Sequence, residues 1–298
     1  TKTIKNILVG EVWVCSGQSN MQWNVRGANN PEEEIAAAKF PKIRLFTVTR
    51  NATAEKQTDC EGKWVECSPE SVPGFSAGGY FFGRDLHKNL KVPVGLINTS
   101  WGGTRVEAWT DPAVVKACPQ AKELGAWWDE KTANFSQDKY DAVRKKQIAA
   151  HRAAIAAETK RIASAKKAGK TVKRRRMRPP RGPLNPLTTQ HRPGNLYNGM
   201  IAPLVPYAIR GAIWYQGESN SSRAYQYRTL FPLMITNWRK AWGQGDFAFL
   251  WVQLANFRAR APEPVDDAWA ELREAQSMTL SLPNTGEAVI IDIGEAGN

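Results

Sequence analysis

The sequence predicts a three-layer α/β fold with a central, mainly parallel sheet, and three observations carry that expectation. Short apolar runs recur at 7–15, 43–48, 94–99, 209–215, 247–254 and 288–293. They are continuous rather than alternating, as strands buried on both faces read. Helix-like stretches at 31–39, 77–89, 223–241 and 266–280 lie between them, and that alternation implies helices on both faces of a parallel sheet. Polar, Gly-containing turns follow three of the runs directly. In such sheets ligands sit at the carboxyl ends of the strands.

The rest of the chain divides into a body and one exceptional segment. The chain has 298 residues, 41 basic against 28 acidic, and a formal net charge of +13. Residues 139–192 hold 17 of the basic residues and only Asp141 and Glu158 as acids, so that segment is +15 and the remainder −2. A nearly neutral body argues against nucleic acid as the partner of the fold. Residues 121–162 are rich in Ala, Lys and Glu and read as long helix; Lys173-Arg174-Arg175-Arg176 and a run of prolines from Pro179 to Pro193 follow. With little apolar stripe, 121–193 reads as a basic helical and Pro-rich insertion into one domain spanning 1–298. Its charge reads as solvated, with an acidic polymer as the alternative partner. No run approaches the roughly 18 apolar residues of a membrane span.

The ends and the cysteines add less. Residue 1 is Thr with no signal pattern after it, and the last run reads as a strand with only a loop following; the domain reads as cut short at both ends. Cys60 and Cys67 flank a six-residue loop that either closes a disulfide or leaves two free thiols. Cys15 reads as a packed core thiol. Neither the cysteines nor the three histidines have metal-site spacing.

The chemistry concentrates in the three turns. The first run leads into Gly17-Gln18-Ser19-Asn20-Met21, the third into Trp101-Gly102-Gly103-Thr104-Arg105, and the fourth into Gln216-Gly217-Glu218-Ser219-Asn220. A Ser after a Gly at a strand-to-helix turn presents its hydroxyl above the sheet edge, with its own N–H beside it. A Gly-Gly turn lets backbone approach a substrate and offers a second N–H. A carboxamide such as Gln216 supplies a side-chain donor, and three donors around a nucleophile make an oxyanion hole.

These blocks, with Phe75-Ser76-Ala77, Tyr80-Phe81-Phe82 and Leu272-Arg273-Glu274-Ala275-Gln276, resemble the sialate O-acetylesterase-like family of the SGNH hydrolase superfamily, over most of the chain except roughly 120–193. The resemblance implies an SGNH-type, flavodoxin-like sheet and a serine esterase that removes O-acetyl groups from sialate or related sugars without a metal or organic cofactor. It implies Ser19 as nucleophile. The Ser19 N–H, an amide of Gly102 or Gly103 (Gly103 favoured) and Gln216 would form the oxyanion hole, with Glu218 orienting its neighbours. Gln18, Asn20, Trp101 and Arg105 are the substrate-binding candidates, Arg105 toward a sugar carboxylate. The family places its Asp-x-His or Asp-x-x-His pair after the last strand, so the general base is expected beyond Asn298. Asp292 lies early for the Asp. Of the histidines, His87 and His151 read as helix-packing or solvated residues, and His191 is the alternative that folds over the site. Acetyl-xylan-type esterases share similar blocks, and a non-catalytic carbohydrate-binding protein on the same fold is the other reading. Most of the twelve Trp read as core, with Trp23, Trp101, Trp109 and Trp214 as candidates for sugar stacking. The family is mostly secreted, periplasmic or lysosomal, so secretion or a periplasmic location is implied.

Overall fold

A computed structural model describes residues 3, 5–257, 263 and 265–294. Among the described residues, seven strands form one sheet: β1 (Glu11–Gly17), β2 (Phe40–Thr47), β3 (Trp64–Cys67), β4 (Val94–Ser100), β5 (Gly211–Tyr215), β6 (Ala248–Val252) and β7 (Thr285–Ala288). Their order is β3-β2-β4-β1-β5-β6-β7, and every pairing is parallel except that of β2 with β3. The expected α/β class with a mainly parallel sheet is borne out. The strand order has β1 between β4 and β5, whereas the flavodoxin pattern runs 2-1-3-4-5.

Among the described residues, eight α-helices cover the sheet or extend from it. They are α1 (Ser19–Gln22), α2 (Pro31–Ala37), α3 (Ala77–Leu90), α4 (Pro112–Ala117), α5 (Lys122–Ala133), α6 (Gln137–Lys167), α7 (Ala224–Trp242) and α8 (Ala268–Met278). Continuous apolar strands acquire their meaning here. Trp13, Cys15, Leu96 and Ile213 pack into one core with Tyr80 and Phe75. Val14, Ile97, Ala212 and Trp214 pack into the other with Phe231 and Trp238. Successive side chains point to opposite faces, so two covered faces require apolar residues at every position. Seven of the twelve tryptophans, Trp13, Trp109, Trp128, Trp214, Trp238, Trp242 and Trp251, are buried, as core residues, whereas Trp23 is exposed.

Register puts the three turns at one level. Gly17 pairs with Ser100 of β4 on one side and with Tyr215 of β5 on the other. Each is the last residue of its strand, so the chain leaves all three strands at the same edge.

Four expectations are corrected. The first strand starts at Glu11, not 7, because its partner β4 starts opposite it at Val94; Ile7 and Val9 lie before the pairing and are 67% and 90% exposed. The last strand is Thr285–Ala288 rather than 288–293, because Ala288 pairs with Val252 at the end of β6. Val289 and Ile291 are exposed, and Asp292 sits in an exposed turn rather than within a strand. The end of the predicted closing loop, 295–298, lies outside the described residues. The long helix at 121–162 is two helices, divided where Ser136 caps α6 by accepting from the Lys139 N–H at 3.4 Å, and α6 runs on to Lys167. Between Cys60 and Cys67 lies the edge strand β3, and both thiols are free. Cys15 is a buried core thiol as expected.

The described residues include no helix long and apolar enough to cross a membrane. Phe231 centres the larger core, stacked on Tyr227 and set edge-on to Trp251 at 5.2 Å. Phe231→Ala is expected to lower unfolding stability by about 3–5 kcal/mol in a urea titration; a loss below about 1 kcal/mol would contradict a tightly packed core at this position.

Candidate active site

Gly17 sets the first turn. Its φ is +137°, and a Cβ placed there would lie 2.2 Å from the Tyr215 carbonyl oxygen. Only glycine allows this approach. The neighbouring backbone is tied to both flanking strands: the Gln18 N–H donates to Tyr215 O at 3.0 Å, and the Trp101 N–H donates to Gly17 O at 3.1 Å. Ser19 then begins α1 and is solvent-exposed. The first N–H groups of a helix have no partner within it, so the Ser19 amide is available beside its own hydroxyl. The Ser19 Oγ is 3.4 Å from Gln18 Nε2.

The second turn lies directly against this serine. A Cβ on Gly102 would be 3.5 Å from the Ser19 Cβ. The two glycine amides differ in what they do. The Gly102 N–H donates to Gln22 Oε1 at 2.7 Å. The Gly103 N–H has no protein acceptor among the described residues, and Gly103 adopts φ +74° with open space at its Cβ position. Gln22, one turn along α1 from Ser19, therefore fixes the first amide and leaves the second for a ligand.

Gln216, expected as the third donor, is fully buried. Its Nε2 donates to Thr104 O at 3.1 Å and to Asn220 Oδ1 at 2.7 Å, while its Oε1 accepts from the Tyr227 hydroxyl at 2.9 Å. Both of its donor hydrogens are thus engaged in holding the Gly103–Thr104 turn and the third turn together. Asn220 continues the chain: its Oδ1 accepts from the Val106 N–H and its Nδ2 donates to Glu107 Oε2 at 3.0 Å. The Glu107 carboxylate is fully buried and also bonds Arg223. Gln276 carries the network to α8, donating to Gln216 O at 3.0 Å and accepting from the Leu254 N–H at 2.9 Å.

The remaining predicted residues fall into place around these turns. Gln18 is buried, and its Oε1 accepts from the Ser219 N–H at 3.3 Å, so it bridges the first and third turns. Asn20 donates to Glu218 Oε1 at 2.7 Å. Glu218 Oε2 is buried with no partner among the described residues. Burial pushes the Glu218 carboxyl above its usual range, against the pull of backbone hydrogen bonds. The adjacent Tyr215 hydroxyl is pushed up to about 12, by burial and then by Glu218. Arg105 is half-buried, its Nε donating to Ser219 O at 3.2 Å. Trp101 is half-buried, with the Arg50 guanidinium 5.3 Å from its ring. His191 lines a cleft that Gly103 and Arg105 share; burial, then the Arg105 charge, lowers its pKa. His87 packs at the end of α3, its Nδ1 2.6 Å from Val92 O, and His151 lies half-buried on α6.

Sequence reading did not single out Gln22, Glu107 or Tyr227, and gave Asn220 no role. Glu107 had a usable signal: an acid between Val106 and Ala108-Trp109 in an otherwise apolar turn is buried and needs a cationic partner. Gln22 and Tyr227 have none, because their roles depend on which turns the sheet brings together.

Fold and site together define an α/β protein whose polar centre is built from three turns at the carboxyl edge of a parallel sheet. The chain belongs to the family described as carbohydrate esterase, sialic acid-specific acetylesterase, which it matches over residues 9–159 and 186–292. It is 27% identical to a sialate O-acetylesterase of Rattus norvegicus and 28% identical to that of Homo sapiens, each over 98% of this chain. It spans about half the length of these relatives, 53% and 49%. The crystal structure of a carbohydrate acetylesterase from Xanthomonas citri is similar at 33% identity with a TM-score of 0.71, over 98% of this chain and 52% of that one.

The Glu218 environment makes stability depend on pH. A carboxyl whose pKa is raised on folding holds its proton more tightly in the folded chain, so stability falls as pH rises from the ordinary carboxylate range through the raised value. Glu218→Gln keeps an oxygen for Asn20 and removes that loss. In urea titrations between about pH 4 and pH 8, the variant is expected to gain on the wild type as pH rises. A difference that does not change with pH would contradict a buried, ionisable Glu218.

Proposed function

We propose that this chain carries the nucleophile and oxyanion hole of a serine esterase that removes O-acetyl groups from carbohydrates, sialate or a related acetylated sugar. The observation that carries this reading is the Gly102–Gly103 turn packed against Ser19, with the Gly102 N–H clamped by Gln22 and the Gly103 N–H without a protein acceptor among the described residues. The unengaged Ser19 and Gly103 amides then belong to adjoining turns, the first of them beside an exposed hydroxyl.

In this reading Ser19 Oγ attacks the acetyl carbonyl carbon and loses its proton to a general base. The Ser19 and Gly103 N–H groups stabilise the oxyanion of the tetrahedral intermediate. Its collapse breaks the bond to the sugar oxygen, which leaves with the proton as a hydroxyl, and acetyl-Ser19 remains. Water attacks the acyl group with the same base accepting its proton, and acetate departs as Ser19 regains its hydrogen. Gln216 serves by fixing Thr104 O, next to Gly103 in the second turn, rather than by donating to the oxyanion directly. The base is the His of an Asp-x-His or Asp-x-x-His pair following the last strand, as the family resemblance implies; the same resemblance supports secretion or a periplasmic location.

The second reading is a non-catalytic carbohydrate-binding protein on the same fold, in which Ser19 Oγ serves as an acceptor, as it does from Gln18 Nε2 at 3.4 Å. Hydrolysis of p-nitrophenyl acetate separates the two. Ser19→Ala is expected to lower kcat/KM by at least about 10³-fold. Gln22→Ala, which releases the Gly102 amide, is expected to lower kcat by up to about 10²-fold with KM little changed. Equal rates for the wild type and Ser19→Ala would exclude Ser19 as the nucleophile.

A further inference from the structure

Helix α6 and the chain that returns from it form a two-rail arm. Among the 31 residues of α6 only Glu158 is buried, and the helix belongs to neither core. Beyond its end Gly169 takes φ +69°, the Lys170 N–H donates to Ala165 O at 2.9 Å, and the chain turns back. Three contacts then hold the return to the helix. Arg161 Nη2 donates to Lys173 O at 3.0 Å, the Arg175 N–H donates to Glu158 Oε1 at 2.9 Å, and Arg144 Nη1 donates to Pro180 O at 3.2 Å. From Arg144 to Arg161 the helix rises about 25 Å. The return spans that stretch between Lys173 and Pro180, which so short a segment does only when nearly extended.

These staples use only the backbone of the return, and that frees its side chains. Lys173, Arg174, Arg175, Arg176, Arg178 and Arg181 are all exposed. Helix α6 adds six exposed cations between Lys145 and Lys167. Of the basic residues from 139 to 192, only Arg161 has an ion pair among the described residues, with Glu158 at 2.7 Å. The other acid of the segment, Asp141, accepts from Gln137. Like charges held at this density repel one another, and a bound polyanion relieves that repulsion. Along the extended return the cations recur about every 5–6 Å.

We propose that this arm docks a linear polysaccharide bearing carboxylates or sulfates, and that it anchors the protein on that polymer without taking part in ester recognition. A polysaccharide with one acid per ring repeats its charge at about the length of a ring, in keeping with the return, whereas duplex DNA carries one charge per about 1.7 Å. A single helix fills the major groove, about 12 Å wide; α6 with a second chain stapled along it is too broad to enter. No aromatic residue lies between 141 and 192 to stack on an unpaired base. Nor does the arm offer an apolar face to a bilayer: Ile148, Ile155 and Ile162 share the side of α6 that carries Arg144 and Glu158, and Ile155 meets Met177 of the return there. The base of the arm joins the body near the site, where Leu184 and His191 share a cleft with Gly103. Its tip at Lys167 lies about 45 Å along the helix axis from Gln137. The inference does not depend on the esterase reading.

The docking is tested by titrating the protein at about 0.1 M salt with polygalacturonate, dextran sulfate, neutral dextran, duplex DNA and phosphatidylserine vesicles. The two acidic polysaccharides are expected to bind most tightly, with an affinity that falls steeply as salt rises; their order distinguishes carboxylate from sulfate. A variant combining Lys173→Gln, Arg174→Gln, Arg175→Gln and Arg176→Gln keeps every staple and is expected to lose at least about 10-fold in affinity, with a shallower salt dependence. Glu158→Ala raises the net charge by one but releases the return. Its affinity is expected to fall, whereas attraction by net charge alone makes it rise. Thermal melts of each variant confirm that the body is folded. Neutral dextran bound as tightly as the acidic polymers, undiminished affinity in the fourfold variant, tighter binding with Glu158→Ala, or DNA or vesicles bound more tightly than both polysaccharides would overturn the proposal. Turnover of p-nitrophenyl acetate, expected unchanged in these variants, reports on the esterase reading separately: its absence from the wild type sinks that reading and leaves the docking arm standing.

Discussion

Glu107 is a carboxylate with no exposed surface, and the arrangement of the site depends on how its charge is matched. Arg223 and Asn220 bond it from the third turn, and its own backbone carbonyl accepts the Gly194 N–H at 3.0 Å from the end of the Pro-rich return. Three parts of the chain far apart in sequence therefore meet on one residue. A buried charge tolerates no vacancy among its partners, because removing one costs about 3–5 kcal/mol. The network that satisfies it also settles Asn220, through Asn220 the amide of Gln216, and through Gln216 the carbonyl of Thr104. The turn that follows Gly103 is held in place by a constraint that lies beneath it.

The sheet supplies the frame for this network, and the frame has a simple origin. Two covered faces demand apolar residues at every strand position, and parallel register brings Ser100, Gly17 and Tyr215 to one level. The turns that follow are then neighbours without further design. Their fine positions come from short polar clamps: Gln22 on Gly102, Gln18 on Ser219, Asn20 on Glu218. A serine one turn from its own clamp is held by the same helix that presents it.

Much of this was legible in the sequence, and the parts that were not share a cause. Helices α2, α3, α7 and α8 and the inner strands follow from periodicity and apolar runs. That the turns carrying Ser19 and Gly103 meet follows from their placement after strands of a parallel sheet. Misread elements sit at the edges. Ile7 and Val9 are as apolar as the strand they precede, yet Val94 begins the neighbour and no strand pairs with them among the described residues. β7 is Thr-Gly-Glu-Ala, too polar to stand out, while the apolar 289–293 beyond it extends past the end of β6. Strand limits are set by the neighbour, which a local pattern does not contain. Gln216 illustrates the same limit within the site. Its residue type suits an oxyanion donor, but whether its hydrogens are free depends on Thr104 and Asn220, which only the folded chain brings to it.

The central claim is that Ser19 is the group poised to react, with its amide and that of Gly103 directed at one acyl oxygen. A fluorophosphonate ester tests it directly, because its phosphoryl oxygen occupies the same hole as the nucleophile displaces fluoride. The protein is treated with the reagent, digested, and the modified peptide sequenced by mass spectrometry. The account predicts a single stoichiometric adduct on Ser19, suppressed by prior addition of an acetylated sugar. Modification confined to another serine, or no modification of a folded protein, would contradict it.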